Sequence, residues 1–153
     1  METIKITINE ISPDDWLQMR SAVSFPVFEK QVAQKALDGS LAVLGIKKDE
    51  KYIGMLRILG DGAYSFYFND VIIIPDFQKK GLGKRLISEA FDYIRTNYCK
   101  DTMFSVSLFA NIMSEGFYEK VGFSVREEVP MKIFVKDIYK GTRKECLNKI
   151  LFK

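Results

Sequence analysis

A basic stretch with two glycines lies near the middle of the chain, and its residue types suit an anionic ligand. Four positive side chains fall within residues 79–85, around Gly81 and Gly83. Glycine tolerates positive φ and lets a ligand approach the backbone, while the first N–H groups of a following helix have no partner in the helix. Because the helix dipole adds positive potential there, the stretch predicts a phosphate site.

Two common phosphate loops do not fit this stretch. A Walker loop needs Ser or Thr after its lysine to hold magnesium, but Arg85 follows Lys84 and the first glycine is absent. A dinucleotide fingerprint needs a third glycine for close packing of helix on sheet, and Leu86 occupies that position. Both interpretations are therefore excluded.

Two motifs resemble one enzyme family. Residues 78–83, Gln-Lys-Lys-Gly-Leu-Gly, match the Q/R-x-x-G-x-G/A pattern of the Gcn5-related N-acetyltransferase (GNAT) superfamily, with an apolar segment and Pro75 before them. Residues 111–123 resemble its N-x-x-A-x-x-F-Y-x-x-x-G-F segment, with Ser114 where alanine is common. By this resemblance the chain is identified as a member of the superfamily.

The resemblance implies acetyl-CoA as the cofactor and assigns roles in binding it. The loop backbone holds its pyrophosphate, Asn111 binds its arm, and an N–H near Ile73 polarises the thioester carbonyl. The predicted cofactor-binding residues are Val71, Ile72, Ile73, Gln78, Lys79, Lys80, Gly81, Leu82, Gly83, Lys84 and Asn111.

The resemblance also makes Tyr118 the acid that protonates the departing thiolate. A phenol with a pKa of about 10 is protonated at neutral pH and can donate to a thiolate whose conjugate acid has a pKa near 8.5. Packing of the Phe117–Tyr118 pair on the sheet is the alternative, which we accept for Phe117 only.

The amine acceptor requires a base and a pocket. An alkylammonium must lose a proton before it attacks, and Asp70 is the candidate base, with Glu115 and Glu128 as lesser candidates. In related acetyltransferases the region of the first two helices caps the acceptor pocket, so Phe25 and Phe28 are candidate lining residues, with core packing as the alternative.

Composition limits the chemistry further. The chain has 153 residues, a net charge of +3 and no histidine, so triads and metal sites that need an imidazole are excluded and no metal is expected. We expect a small-molecule amine as partner, with no nucleic acid and no membrane. The first residues lack the pattern of a secretory signal, which favours a cytoplasmic protein.

Hydrophobic periodicity predicts the α/β (α+β) class, with a mixed, mostly antiparallel sheet of six to seven strands flanked by helices. A crossover helix should make the strand after it parallel to the loop strand, and the resemblance implies a V-shaped splay between these two. The predicted strands are 4–8, 41–47, 52–59, 63–74, 104–109, 123–128 and 131–136, and the predicted helices begin near Ser12, Pro26, Leu82 and Asn111.

The chain length suits a single N-acetyltransferase domain over residues 1–153, with a basic extension at 137–153. This extension is amphipathic and predicts a helix from about Thr142. Docking on its own sheet is the favoured role, and pairing in a homodimer is an alternative.

Three functions compete for this sequence. The first is transfer of an acetyl group from acetyl-CoA to a primary amine of a small molecule, with a peptide or protein as the alternative acceptor. A non-catalytic acyl-CoA-binding or regulatory module is the second, and Tyr118 argues against it. A nucleic-acid-binding domain is the third, and it lacks the extended positive surface that such proteins need.

Overall fold

A computed structural model of the chain describes residues 4–126. The strands in this range are β1 (Ile4–Ile8), β2 (Ala42–Lys48), β3 (Lys51–Gly60), β4 (Ser65–Ile73) and β5 (Ser105–Ser107). The helices are α1 (Pro13–Ala22), α2 (Lys30–Asp38), α3 (Leu82–Asn97) and α4 (Glu115–Lys120), with short 3-10 turns at Pro75–Phe77 and Ile112–Ser114. The described order is therefore the predicted alternation of helices and strands.

The five strands form one sheet in the order β1-β2-β3-β4-β5. The first four are antiparallel, while β5 lies parallel to β4 after the α3 crossover. The parallel ladder extends only from Ser65 opposite Ser105 to Tyr67 opposite Ser107, and β4 continues to Ile73. The two parallel strands thus separate beyond Tyr67, which agrees with the predicted splay.

A β-bulge interrupts β4 beside this opening. Arg57 of β3 lies opposite Asn69, and Met55 lies opposite Ile72, so two β4 residues face Leu56 alone. Asp70 takes the left-handed conformation there, with φ of 48°. Because side chains alternate along a strand, the extra residue moves Asp70 away from the face of Phe68 and onto the face of Arg57.

Apolar residues pack on both faces of the sheet. On one face, α3 buries a stripe at helical spacing against β2, β3 and β4; the stripe is Leu82, Leu86, Ile87, Ala90 and Ile94. On the other face, Trp16 and Met19 of α1 and Ala33 and Leu37 of α2 pack on Met55 and its neighbours. Since a fully buried large apolar side chain contributes about 1.5–3 kcal/mol, these two layers hold the site in place.

Local hydrogen bonds set several element boundaries that differ from the prediction. The helix predicted to begin at Pro26 begins at Lys30, because the Pro26 carbonyl accepts from the Arg20 side chain and not from a helical N–H group. Strand β4 begins at Ser65 and not at Ala63, because the Asp61 carboxylate accepts three successive N–H groups there and closes a turn.

The last predicted elements fall at the edge of the described range or beyond it. Strand β5 is shorter than predicted and ends at Ser107, because its pairing with β4 also ends there. Residues 123–126 show no strand, and the remainder of the predicted strands 123–128 and 131–136, together with Glu128 and the extension at 137–153, lies outside the described residues. The unit that carries the sheet ends at Phe123. Among residues 4–126, no helix has the length and apolar character needed to cross a bilayer.

Candidate active site

An open backbone cradle lies between β4 and α3. Gly81 caps the N-terminus of α3 with φ of 78°, and a β-carbon placed on it would meet nothing within 4 Å. Lys79 also has positive φ, at 59°. Arg85 donates its N–H to the Gly81 carbonyl, and this is the first backbone hydrogen bond of α3. Within residues 4–126, no acceptor is found for the N–H groups of 79–84. These groups can bind an anion.

Two side chains of this loop form hydrogen bonds with the backbone, and two others present positive charge to solvent. The Gln78 amide donates to the Ile73 carbonyl at 2.8 Å, and the Lys80 ammonium donates to the Asp76 carbonyl at 2.8 Å. Both contacts tie the loop to itself and to the end of β4, so the two side chains hold the cradle in shape. Lys79 and Lys84 are exposed and have no ion-pair partner within the described part of the chain.

Gly83 joins three parts of the site. A β-carbon on this residue would lie 3.0 Å from Cζ of Phe117 in α4 and 3.9 Å from Cγ1 of Ile73 in β4. The first turn of α3 can therefore approach α4 closely only because residue 83 has no side chain. Close packing against α4 thus explains the absence of a side chain at Gly83, whereas the space around Gly81 is open.

The exposed edge of β4 supplies two further N–H groups. Ile74 donates its N–H to Ile53 of β3, and N–H directions alternate along a strand, so the N–H groups of Val71 and Ile73 point to the opposite, splayed side. The N–H of Ile72 points to β3. Of the three predicted backbone residues, Val71 and Ile73 are therefore placed to donate into the opening.

Tyr118 is half-buried on α4 beside this opening. Its ring packs edge-on against Phe117, with centroids 5.1 Å apart, and against Phe123 at 5.9 Å. Burial raises the pKa of Tyr118 to about 12, with a smaller contribution from nearby Tyr67. The phenol therefore keeps its proton throughout the neutral range and can act as a hydrogen-bond donor.

Asn111 begins the segment that leads to α4. Its Oδ1 accepts from the N–H of Ser114 at 2.9 Å, which caps the 3-10 turn, and the Ser114 hydroxyl donates to the Asn111 carbonyl at 3.1 Å. No protein acceptor for the Asn111 amide nitrogen is found in the described range. The side chain can thus shape the turn and still donate to a ligand. Gly122 closes this segment with φ of 99°, the left-handed region that glycine favours after a helix.

Tyr67 marks the point where the two parallel strands part. It is the last β4 residue in the parallel ladder, and its ring packs on Phe109 at 5.6 Å. Burial raises the pKa of Tyr67, opposed by a hydrogen bond with the Phe109 backbone. The tyrosine closes the narrow end of the opening.

The predicted base, Asp70, is buried between two arginines. Its side chain is 2% exposed, Oδ1 pairs with Arg20 Nη1, and Oδ2 accepts from Arg57 Nε at 2.8 Å. Arg57 also donates to the Ala36 carbonyl at 3.0 Å. Because both carboxylate oxygens already bind guanidinium groups, the placement favours a structural role for Asp70 over that of a base.

The two candidate acceptor-lining residues lie in the segment between α1 and α2. Phe28 is half-buried and packs edge-on against Trp16, with ring centroids 5.2 Å apart. Phe25 is 37% exposed and lies over the Arg20 guanidinium, 5.5 Å from its carbon. Phe28 therefore serves packing at least in part, whereas Phe25 presents apolar surface to solvent.

These residues fit an acyl-CoA better than the other phosphate ligands considered. The cradle of 79–84 offers N–H donors and positive charge to a pyrophosphate, and the splayed β4 edge offers the N–H groups of Val71 and Ile73 to an extended amide-bearing chain. Among residues 4–126, no group of three or more carboxylate, thiol or imidazole side chains is arranged to hold a metal ion.

Comparison with known proteins decides the family. The sequence model described as Acetyltransferase (GNAT) family matches residues 6–123. The chain belongs to the GNAT acetyltransferase family. This match covers both motifs, strands β2 to β5, most of β1 and the four helices described above, so it confirms the family and agrees with the fold class expected from the sequence.

Individual GNAT relatives support the same assignment. GCN5-related N-acetyltransferase 2, chloroplastic, from Arabidopsis thaliana is 33% identical over 82 residues, which is 54% of this chain and 30% of that protein. The chain thus spans about a third of the length of this relative. An acetyltransferase of the GNAT family from Streptococcus pneumoniae has a TM-score of 0.69 at 26% identity, covering 90% of this chain and 99% of its own.

A GNAT structure solved with a ligand has the same fold. Aminoglycoside N-acetyltransferase AAC(6')-Iy in complex with CoA gives a TM-score of 0.68 at 14% identity, covering 88% of this chain and 96% of its own. At that identity the likeness concerns the fold alone.

The structure adds residues to this GNAT site that sequence reasoning missed. Arg20, Arg57 and Tyr67 were not singled out, although Arg57 carried a usable signal. It is a charged residue inside β3, where residues 53–58 are all buried, and a buried arginine requires an acidic partner. Arg20 lies in the last turn of the short helix α1, where a basic residue is common, so nothing in the sequence marked it as part of the site.

Replacement of Gly81 tests the cradle directly. We expect Gly81→Ala to weaken CoA binding by about tenfold, because a non-glycine residue in the left-handed region costs roughly 1–2 kcal/mol and would shift the loop backbone. Calorimetric titration with CoA measures the dissociation constant. Gly116→Ala is the matched control, since this helical glycine has ordinary φ and open space around it. Equal dissociation constants for the two variants would remove the cradle from the cofactor site.

Proposed function

We propose that the protein transfers an acetyl group from acetyl-CoA directly to a primary amine of a small molecule. The observation that carries this proposal is the close approach of α3, α4 and β4 around Gly83, where an added β-carbon would lie 3.0 Å from Phe117 and 3.9 Å from Ile73. The anion cradle, the exposed N–H groups of β4 and the phenol of Tyr118 thus adjoin one opening. Membership of the GNAT family supports the same reaction.

The backbone of this chain does most of the positioning. Acetyl-CoA, when bound, supplies an activated thioester, and the N–H groups of 79–84 are the ones that would hold its pyrophosphate. Val71 and Ile73 can donate N–H groups along the splayed edge, and one of them can stabilise negative charge on the thioester oxygen. Fixed geometry of this kind supplies a large share of the rate when two substrates must be brought together.

Tyr118 acts on the leaving sulfur as a hydrogen-bond donor. Burial raises its pKa to about 12, above the value of about 8.5 for an ordinary thiol, so the phenol is a weak proton donor. A phenol that keeps its proton still stabilises the negative charge developing on sulfur. We therefore assign Tyr118 the role of stabilising the thiolate and not that of protonating it fully.

The acceptor amine loses its proton to water in this scheme. Both oxygens of Asp70 are bound to arginines, and Glu115 is exposed on the first turn of α4. An aqueous route needs no dedicated carboxylate, because a small neutral fraction of an alkylamine exists at pH 7–8. A protein of the same fold is named an aminoglycoside acetyltransferase, and for this reason aminoglycosides are included in the assay below.

The proposal is tested by measuring thiol release from acetyl-CoA. The purified chain is assayed with a panel of aminoglycosides, polyamines, amino sugars and lysine-containing peptides between pH 6.5 and 9. We expect release with at least one small amine, rising with pH as the neutral amine fraction rises. Release with peptides alone would assign the acceptor to proteins. Binding of CoA without release on any amine would support a regulatory acyl-CoA-binding module.

A further inference from the structure

The guanidinium of Arg20 lies at the centre of the α1–α2 junction. Its side chain is 13% exposed, and its Nη1 pairs with Asp70 on the β4 bulge. Its Nε donates to the Pro26 carbonyl at 2.7 Å. One planar group therefore ties the end of α1 both to the splayed strand and to the segment that follows the helix.

Aromatic rings surround the same guanidinium. Its carbon lies 4.9 Å from the Phe28 ring centroid, 5.5 Å from that of Phe25 and 5.7 Å from that of Trp16. The Trp16 ring also faces the Arg57 guanidinium at 4.6 Å, and within the described residues the buried indole N–H has no partner. Cation–π contacts and not a hydrogen bond thus hold this ring.

The segment from Val23 to Glu29, which we call the aromatic segment, has few other anchors. Ser24 has φ of 58°, and the Phe25 N–H returns to the Arg20 carbonyl at 2.9 Å. No helix or strand includes residues 23–29. Phe28 is also held by its packing on Trp16, whereas Arg20 contacts both rings and the carbonyl between them and so links Phe25 to the rest of the segment.

We propose that Arg20, held by Asp70, is a positioning residue that fixes the aromatic segment as one wall of the acceptor pocket. This inference rests on the proposed function, since it assigns an acceptor-side role to the segment. Asp70 lies on the bulge three residues beyond Tyr67, where β4 and β5 part, so the ion pair sets the distance between the aromatic segment and the opening. The acceptor that fits such a wall presents apolar surface beside its amine.

The contact requires the forked shape of arginine. Arg20 uses different nitrogens for Asp70 and for Pro26 while its flat face meets the rings. A lysine has one ammonium on a flexible chain and cannot make these contacts together, although it keeps the charge. Arg20→Lys therefore loosens the aromatic segment without leaving Asp70 wholly unpaired, because Arg57 remains.

The test compares Arg20→Lys with Arg95→Lys. Arg95 is an exposed arginine of α3 in a loose 3.4 Å pair with Asp92, so its replacement is the matched control. With the amine that gives the highest thiol release, we expect Arg20→Lys to raise the acceptor KM by about tenfold, because the loosened aromatic segment must be ordered again when the acceptor binds. The KM for acetyl-CoA should change less than about twofold, because the cradle of 79–84 is untouched.

The fluorescence emission of Trp16 reports on the contact between Arg20 and the tryptophan ring and can be measured without catalysis. Trp16 is the single tryptophan of the chain. In folded Arg20→Lys its emission should shift, whereas Arg95→Lys should leave it unchanged. If the acceptor KM is unaltered, or if both KM values rise together, Arg20 has no positioning role.

A milder variant covers the case in which Arg20→Lys does not fold. Phe25 is partly exposed, so Phe25→Leu should keep the wild-type melting temperature and still raise the acceptor KM severalfold. An unchanged acceptor KM in folded Phe25→Leu would overturn the proposal. If the proposed function itself is wrong, the wild-type protein will release no thiol with any amine, which distinguishes that outcome from a failure of the Arg20 proposal.

Discussion

Asp70→Asn is expected to lower the free energy of unfolding by about 3–5 kcal/mol, because it leaves two buried guanidinium groups without their counter-charge. The side chains of Arg20, Arg57 and Asp70 are 13%, 9% and 2% exposed, so water cannot replace the lost charge. Asparagine has nearly the same shape and tolerates the left-handed backbone of residue 70, with φ of 48°. The substitution therefore isolates the charge. Urea unfolding followed by Trp16 fluorescence measures the change.

A matched control separates burial from charge as such. Asp92→Asn removes an aspartate that also faces an arginine, but this pair is 61% and 67% exposed. Because exposed ion pairs contribute at most about 1 kcal/mol, the control should be nearly neutral. Equal stability for Asp70→Asn and the wild-type protein would contradict the structural role of Asp70. If turnover then fell most at low pH, with CoA affinity unchanged, the base role predicted from the sequence would be restored.

Tyr118→Phe is expected to reduce the rate of thiol release on the order of 100-fold, the effect typical of removing one donor aimed at developing charge. The dissociation constant of CoA should stay within about twofold, because the cradle and the β4 edge lie on other elements. Stopped-flow detection of the thiol gives the chemical step, and calorimetry gives the binding constant. The substitution keeps the ring that packs on Phe117 and Phe123.

The pKa of Tyr118 adds a second expectation for this residue. Since burial raises its pKa to about 12, the phenol stays protonated across the usable range, and the rate of the wild-type enzyme should show no decline from its ionisation below pH 10. Tyr64→Phe is the control, because Tyr64 is 52% exposed. Thiol release by Tyr118→Phe at the wild-type rate would reject any role of the phenol in the chemical step.

The loop to which we assign phosphate binding could be predicted from the sequence because its geometry is local. The apolar run of β4, Pro75, the two glycines and the stripe of α3 lie within one continuous stretch, and the proposed binding groups are backbone N–H groups. Backbone geometry of this kind follows from residue type and spacing. Strand β4, helix α3 and the positive φ of Gly81 were therefore confirmed, whereas Gly83 lies close to Phe117 and its part in cofactor binding stays a prediction.

The acceptor half depends on contacts between distant residues. Arg20 and Asp70 are 50 positions apart, and Arg57 joins them from a third element. No spacing rule indicates that a bulge turns Asp70 to the face of α1, so the pairing of both its oxygens with arginines could not be foreseen and the base role stays a prediction. The start of α2 was misplaced for the same reason, since a side chain from α1 takes the Pro26 carbonyl.

The sequence alone thus determined the family and the class of fold, and it located the loop to which we assign cofactor binding. Motifs and periodicity report local backbone geometry, which neighbouring residues decide. The tertiary structure decided which side chains share an environment: Tyr118 near Tyr67, Gly83 against Phe117, and Asp70 between two arginines. Burial and charge pairing arise only when separate elements pack, and these interactions turn a list of candidate residues into assigned roles.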